Sequence, residues 1–202
     1  YGSSGDQMPF AFGPQNGLDF PVRCVTEYFE NKPVKRALEI GCAVGRSSFE
    51  LTRFCEKITA VDTSQAFIKV AKRLQLEGQV KYTLPMEGSA KEERMAKLPD
   101  GVFPERVTFH CGDILKMKAE PFDLVLAANV ICRMAQPRLF LELLPELVKP
   151  GGQLVLTTPF SWSDEFTAED QRLAQDELLE ILQRHFTLKR AFDTPFMQRE
   201  HL

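Results

Sequence analysis

Cysteine is sparse in this chain of 202 residues, and the five present follow no pattern. Cys24, Cys42, Cys55, Cys111 and Cys132 are odd in number, form no CxxC pair and show no Cys/His ligand spacing, which argues against a disulfide framework and against a bound metal. No apolar run approaches the roughly 20 residues of a membrane span, and no charged-then-apolar leader opens the chain. Neither sign of charge dominates: 25 Lys and Arg stand against 28 Asp and Glu, a net charge of -3 with no long run of either. That balance disfavours a nucleic-acid coat or an anionic membrane surface as partner. Reduced thiols and a cytoplasmic location are the expectation. The chain opens on Tyr1 rather than Met, as part of a longer polypeptide would.

What is present is a rhythm. Residues 1 to 20, rich in Gly, Ser, Pro, Asn and Gln, read as an irregular arm. Beyond them short apolar runs alternate with segments of helical period, the pattern of a parallel sheet covered by helices. The predicted strands are 37–40, 58–61, 107–110, 122–128 and 153–158, with a sixth over 186–192. The predicted helices are 47–54, 64–76, 138–148 and 168–185, the third stopped by Lys149-Pro150-Gly151-Gly152. One segment breaks the rhythm: Val80 to Pro85 looks extended, and Met86 to Leu98 looks like a charged, exposed helix. Function sits disproportionately on connections, so this insertion is a candidate substrate-side elaboration.

The first predicted strand runs into Glu39-Ile40-Gly41-Cys42-Ala43-Val44-Gly45 and then a helix, placing glycines at the first strand-to-helix turn of a doubly wound sheet. Glycine there lets the backbone turn tightly and approach a ligand, and the helix that follows offers free N–H groups. Ala43 occupies the middle glycine of the dinucleotide fingerprint, and Glu39 would repel a pyrophosphate. A cationic ligand suits it better. Asp62 closes the second strand, where an acid accepts from ribose hydroxyls, and Asp113 in Cys111-Gly112-Asp113-Ile114 closes the third. Three acids around a glycine turn describe a pocket for a nucleoside carrying positive charge. Asp62 beside Thr63 and Ser64 also suits a helix cap, and Asp113 a loop cap.

These ordered features resemble the class I S-adenosylmethionine-dependent methyltransferases over nearly the whole chain, together with Pro150-Gly151-Gly152 before the fifth strand. The resemblance implies an α/β fold with a Rossmann-like, doubly wound, mostly parallel sheet, S-adenosylmethionine as cofactor, S-adenosylhomocysteine as product, and no metal. It assigns donor contacts to Glu39, Gly41, Cys42, Gly45, Asp62, Thr63, Gly112, Asp113, Ile114 and Asn129. Residues 1–25 become an arm or lid over the active site, and 26–202 the methyltransferase domain with an insertion at about 80–104.

A narrower resemblance lies in Phe20-Pro21-Val22-Arg23-Cys24, Gly41 to Leu51, Tyr82-Thr83-Leu84-Pro85-Met86-Glu87-Gly88, Leu126 to Arg133, and Thr158-Pro159-Phe160-Ser161-Trp162. These stretches resemble the methyltransferase domain of the ovothiol biosynthesis (OvoA) family, which methylates the imidazole of 5-thiohistidine, also called 4-mercaptohistidine. The resemblance implies a small histidine derivative as substrate and an iron-dependent sulfoxide synthase as partner or as a preceding part of the same polypeptide. Cys132 stands where that pattern carries an acid, so no general base is placed there.

A zwitterionic acceptor wants an Arg fork for its carboxylate, and Arg23 and Arg133 are the candidates. Asn129, Arg133 and Tyr82 are the catalytic candidates at the reacting end; Arg23, Phe160 and Trp162 are candidates for binding the substrate. The aromatics suit the core equally well. Burial inside the fold is expected to keep the cysteines inert, and His110 is expected in the core or at an edge. Two alternatives stay open: methylation of another small molecule, and a donor-binding or structural domain without activity that partners a synthase.

Overall fold

The computed structural model describes residues 17–30, 33–85 and 89–196. Helix α1 (Phe20–Thr26) precedes β1 (Val34–Ile40), α2 (Arg46–Leu51), β2 (Cys55–Asp62) and α3 (Gln65–Glu77). A hairpin of β3 (Gln79–Pro85) and β4 (Lys91–Lys97) follows. Then come β5 (Val107–Cys111), β6 (Phe122–Ala128), α4 (Pro137–Leu147), β7 (Val148–Thr157) and α5 (Gln175–Gln183). The five strands of the main sheet lie in the order β5-β2-β1-β6-β7, every neighbouring pair parallel.

Alternation along β1 shows how the sheet is covered. Ala37 packs with Cys24 and Val25 of α1, Phe49 and Leu51 of α2 and Ile68, Ala71 and Leu74 of α3. Leu38 and Ile40 pack on the other face with Phe140, Leu141, Leu144 and Leu147 of α4 and Leu178 of α5. A strand buried on both faces reads as a continuous apolar run, which is why β1 and β6 are legible in the sequence. Each fully buried Leu or Phe contributes about 1.5–3 kcal/mol. Helix α3 begins as its capping residues dictate: the Ser64 hydroxyl accepts from Phe67 N at 3.3 Å, and Gly78 closes the helix at φ 73°.

Several expectations are corrected. The charged segment 86–98 is not a helix: Lys91–Lys97 pairs antiparallel with β3, and burying Ala96 opposite Val80 overrides the helical propensity of Lys, Glu, Arg and Met. Residues 86–88 of that expectation lie outside the described residues. No strand forms over 186–192. That segment is held by side chains instead, with Phe192 edge-on to Tyr28 at 5.1 Å and Arg190 Nη2 donating to Glu27 O and Tyr28 O, each at 3.1 Å. The helix expected over 168–185 splits into a 3-10 turn at Glu169–Gln171 and α5, because Leu173 between them is drawn into the core. Lys149-Pro150-Gly151-Gly152 lies within β7, whose register against β6 shifts there, rather than in a linker before it. The arm boundary at residue 25 falls inside α1, whose Cys24 and Val25 are fully buried; residues 1–16 lie outside the described residues. His110 is exposed on β5, at the edge of the sheet.

Candidate active site at the carboxyl ends of the strands

The chain leaves β1 toward β2 and later returns through β6 on the other side of β1, so the order of strands reverses between β1 and β6. Their carboxyl ends form a crevice where open α/β sheets bind ligands. The glycine turn lies there. Gly41 N and Cys42 N donate to Val61 O at 2.8 and 3.1 Å, and Gly45 N donates back to Cys42 O at 2.8 Å. Gly41 and Gly45 are left-handed, at φ 74° and 84°, as is Ala43 at φ 46°.

Glu39 braces this turn from beneath. Its side chain is 2% exposed, and its two carboxylate oxygens accept from the hydroxyls of Ser47 and Ser48 in α2. The carboxylate thus ties β1 to α2. Desolvation, offset in part by the two hydroxyl bonds and aided by the nearby Asp62 charge, raises the Glu39 carboxyl to about 7. The folded protein therefore holds this proton where the unfolded chain, ionising near 4.5, has lost it. Stability falls as pH rises between these values and stays lowered above them. Glu39→Gln cannot ionise and is expected to be more stable than the parent by up to about 3 kcal/mol near pH 8, with the advantage vanishing near pH 4.5. Thermal melts across that range check this; a difference independent of pH would refute it.

Asp62, at the end of β2, accepts from Ala43 N through Oδ2 and from Ser64 N through Oδ1, both at 2.8 Å. Each oxygen keeps a second lone pair, so the carboxylate can hold the turn and still accept from a diol. Gly112 N donates to Asp62 O at 2.9 Å, and Asp113 Oδ1 accepts from Leu115 N at 3.0 Å, capping a 3-10 turn at Ile114–Lys116. Thr63 is exposed between β2 and α3. The side chains of Cys42 and Ile114 are buried, one in each of the two apolar clusters. Burial, with Glu39 and Asp62 nearby, raises the Cys42 thiol, as burial raises that of Cys24 to about 12, which makes both inert.

On the other side of the crevice the structure brings Asn129, Arg133, Phe160 and Trp162 together. Asn129 follows β6 and Phe160 follows β7, both left-handed at φ 53° and 52°. Arg133 is exposed and donates from Nη1 to Ser161 O at 3.2 Å, joining the two segments, while its guanidinium lies over Phe166 at 5.2 Å. Phe160 and Trp162 are half-buried against the core on the α4 side. Cys132 is buried, its Sγ 4.0 Å from Asn129 O, and presents no thiol to the crevice.

Tyr82 and Arg23 make other contacts. Tyr82 lies opposite Arg94 in the hairpin, rooted where α3 ends beside the start of β5, at the amino ends of the strands. Gln75 marks that end by donating to Pro104 O and Val107 O. The insertion thus springs from the side away from the glycine turn. Arg23 donates from Nε to Leu18 O at 3.0 Å, from Nη1 to Thr194 Oγ1 at 3.0 Å and from Nη2 to Pro195 O, clamping α1 to the segment near the other end of the chain. Residues that sequence reasoning missed are Ser47 and Ser48 on Glu39, Phe109 under Gly45, Val130 against Gly41, and Thr157 beside Asn129. The pairing of Ala128 with Thr157 is the signal for the last, and it exists only once β6 and β7 are in register.

A Methyltransferase domain family model matches residues 38–156, which include the glycine turn, both acids and Asn129. The chain belongs to this family. It is 32% identical over 149 residues to the mitochondrial ubiquinone biosynthesis O-methyltransferase of Schizosaccharomyces pombe, covering 70% of the chain and 43% of that protein. It is 26% identical over 151 residues to the ubiquinone biosynthesis O-methyltransferase of Xanthomonas axonopodis pv. citri, covering 73% of the chain and 54% of the relative. The domain spans about half the length of these curated relatives. Among solved structures, the N-methyltransferase NodS from Bradyrhizobium japonicum superposes with a TM-score of 0.54 at 20% identity, over 81% of this chain and 77% of NodS. The [4+2]-cyclase SpnF matches at 0.55 and 20% identity, over 85% of this chain and 56% of SpnF. Such likenesses establish the fold alone.

Residues 38–156 form a methyltransferase domain, for which S-adenosylmethionine is the expected donor. Its crevice fits that donor: a left-handed glycine turn permits close approach, and two carboxylates at neighbouring strand ends suit a ribose and a cationic chain. Among the described residues no three His, Cys, Asp or Glu side chains are grouped to hold a metal ion, and no helix is long and apolar enough to cross a membrane.

Proposed function

We propose that the domain methylates the imidazole of 5-thiohistidine. The observation that carries this reading is the acceptor side of the crevice, where one exposed guanidinium, one amide and two half-buried aromatic rings lie together at the ends of β6 and β7. When bound, the donor supplies a methyl group already activated by its sulfonium sulfur. The residues then need to align the acceptor rather than create a strong nucleophile. Arg133 retains guanidinium N–H donors for the acceptor carboxylate after Nη1 is used on Ser161 O. Phe160 and Trp162 wall the ring, and Asn129 orients it. An imidazole with a pKa near 6.5 is largely neutral at neutral pH, so burial of Cys132 leaves no base wanting. Asp62 and Asp113 hold the donor, with Gly41, Gly45, Thr63 and Gly112 lining its path. A cytoplasmic setting and a sulfoxide synthase as partner belong to the same reading.

A second reading is methylation of a hydroxyl oxygen, for which a catechol is the probe, because the curated relatives are O-methyltransferases. Incubation with S-adenosylmethionine and either 5-thiohistidine or a catechol, followed by mass spectrometry, separates them. A one-methyl gain on 5-thiohistidine, reduced at least about tenfold in kcat/KM by Arg133→Ala, is expected. Gain on the catechol alone would replace the first reading by the second.

A further inference from the structure

We infer that Thr157 is a positioning residue that fixes which end of the Asn129 amide the acceptor meets, and thereby selects acceptors carrying an anionic sulfur or oxygen beside the reacting ring. The inference rests on the acceptor side assigned above.

The register of β6 and β7 ends at Ala128 and Thr157. Asn129, one residue further, donates from its backbone N to Thr157 O at 2.9 Å and to Thr157 Oγ1 at 3.1 Å. A threonine hydroxyl has one proton, and having accepted from that N–H it directs the proton to Asn129 Oδ1, 2.8 Å away. A flipped amide would lose the bond from the hydroxyl proton to Oδ1. The bonds also hold Asn129 at φ 53°, a left-handed conformation that asparagine tolerates better than most residues. Asn129 is half-buried at the carboxyl end of β6, and no side-chain nitrogen or oxygen of the described residues, Nδ2 included, is buried without a partner.

The consequence is a pair of N–H donors of fixed direction. A flexible amide could turn its oxygen toward a protonated or apolar acceptor; this one presents donors only. It therefore favours an acceptor atom rich in lone pairs, such as the exocyclic sulfur that distinguishes 5-thiohistidine from histidine. A site built to hydrogen-bond one group rejects the analogue that lacks it.

Calorimetry with the whole chain tests this, using S-adenosylhomocysteine, 5-thiohistidine and histidine as probes. Thr157→Val is expected to weaken 5-thiohistidine binding about tenfold, to leave histidine and S-adenosylhomocysteine within about twofold of the parent, and so to erase the preference for the sulfur. Thr157→Ser keeps the hydroxyl and is expected to match the parent. Unchanged 5-thiohistidine affinity in Thr157→Val overturns the inference, as does an equal loss of all three ligands, which marks a merely structural role. The order of the Asn129 side-chain amide, read by its 15N heteronuclear NOE, is independent of any acceptor: it is expected high in the parent and in Thr157→Ser and low in Thr157→Val. If the parent binds S-adenosylhomocysteine but not 5-thiohistidine, the acceptor assignment fails, and a disordered amide in the parent then overturns the latch as well.

Discussion

Replacing Gly45 with alanine is expected to destabilise the domain by about 2–5 kcal/mol and to abolish measurable binding of S-adenosylhomocysteine. A Cβ at this position would lie 2.7 and 2.9 Å from Cζ and Cε1 of Phe109 and 3.2 Å from Cε2 of Phe49. Neither ring has room to retreat, because both are buried and pack edge to face with centroids 5.7 Å apart. Forcing a methyl into such a core costs about 1–3 kcal/mol. The left-handed backbone, φ 84°, adds about 1–2 kcal/mol for a residue with a Cβ. Urea melts separate the two contributions: Phe109→Leu in the Gly45→Ala background should recover part of the overpacking but none of the backbone cost. An unchanged melting midpoint in the single variant would contradict the packing described.

Asp62→Ala is expected to weaken S-adenosylhomocysteine binding at least about 100-fold by calorimetry, with a smaller loss of stability. The carboxylate joins Ala43 N in the glycine turn to Ser64 N at the start of α3, both at 2.8 Å, so its removal releases the turn and deletes an acceptor for the donor together. Hydrogen bonds from the two hydroxyls of a ligand diol to this charged group would contribute about 1.5–3 kcal/mol each, and two lost at once span the expected factor. Asp62→Asn should fall between, since the amide can accept from one of the two N–H groups but opposes the other with its own protons. Binding within tenfold of the parent in Asp62→Ala would remove this residue from the donor site.

The glycine turn, the two acids and Asn129 were legible because each sits at a strand end marked by composition: β-branched or apolar residues stop, and Gly, Asp or Asn follows. The roles of some neighbours were not. That Glu39 binds Ser47 and Ser48, eight and nine residues away across the turn into α2, appears only in the fold. The bonds from Arg23 to Thr194 and Pro195 join the two ends of the chain, which no local pattern announces. Lys91–Lys97 reads as helix because nothing local reveals that Ala96 meets Val80.

By itself the sequence determined the doubly wound parallel sheet, its central strands, the capped helix α3 and a donor crevice at the first turn, because apolar period, capping residues and glycine act over a few neighbouring positions. Only the tertiary structure decided which charges brace the fold, that the insertion is a hairpin, and that Thr157 bonds to Asn129. Those outcomes depend on contacts between residues from 8 to more than 170 positions apart, which no local pattern encodes.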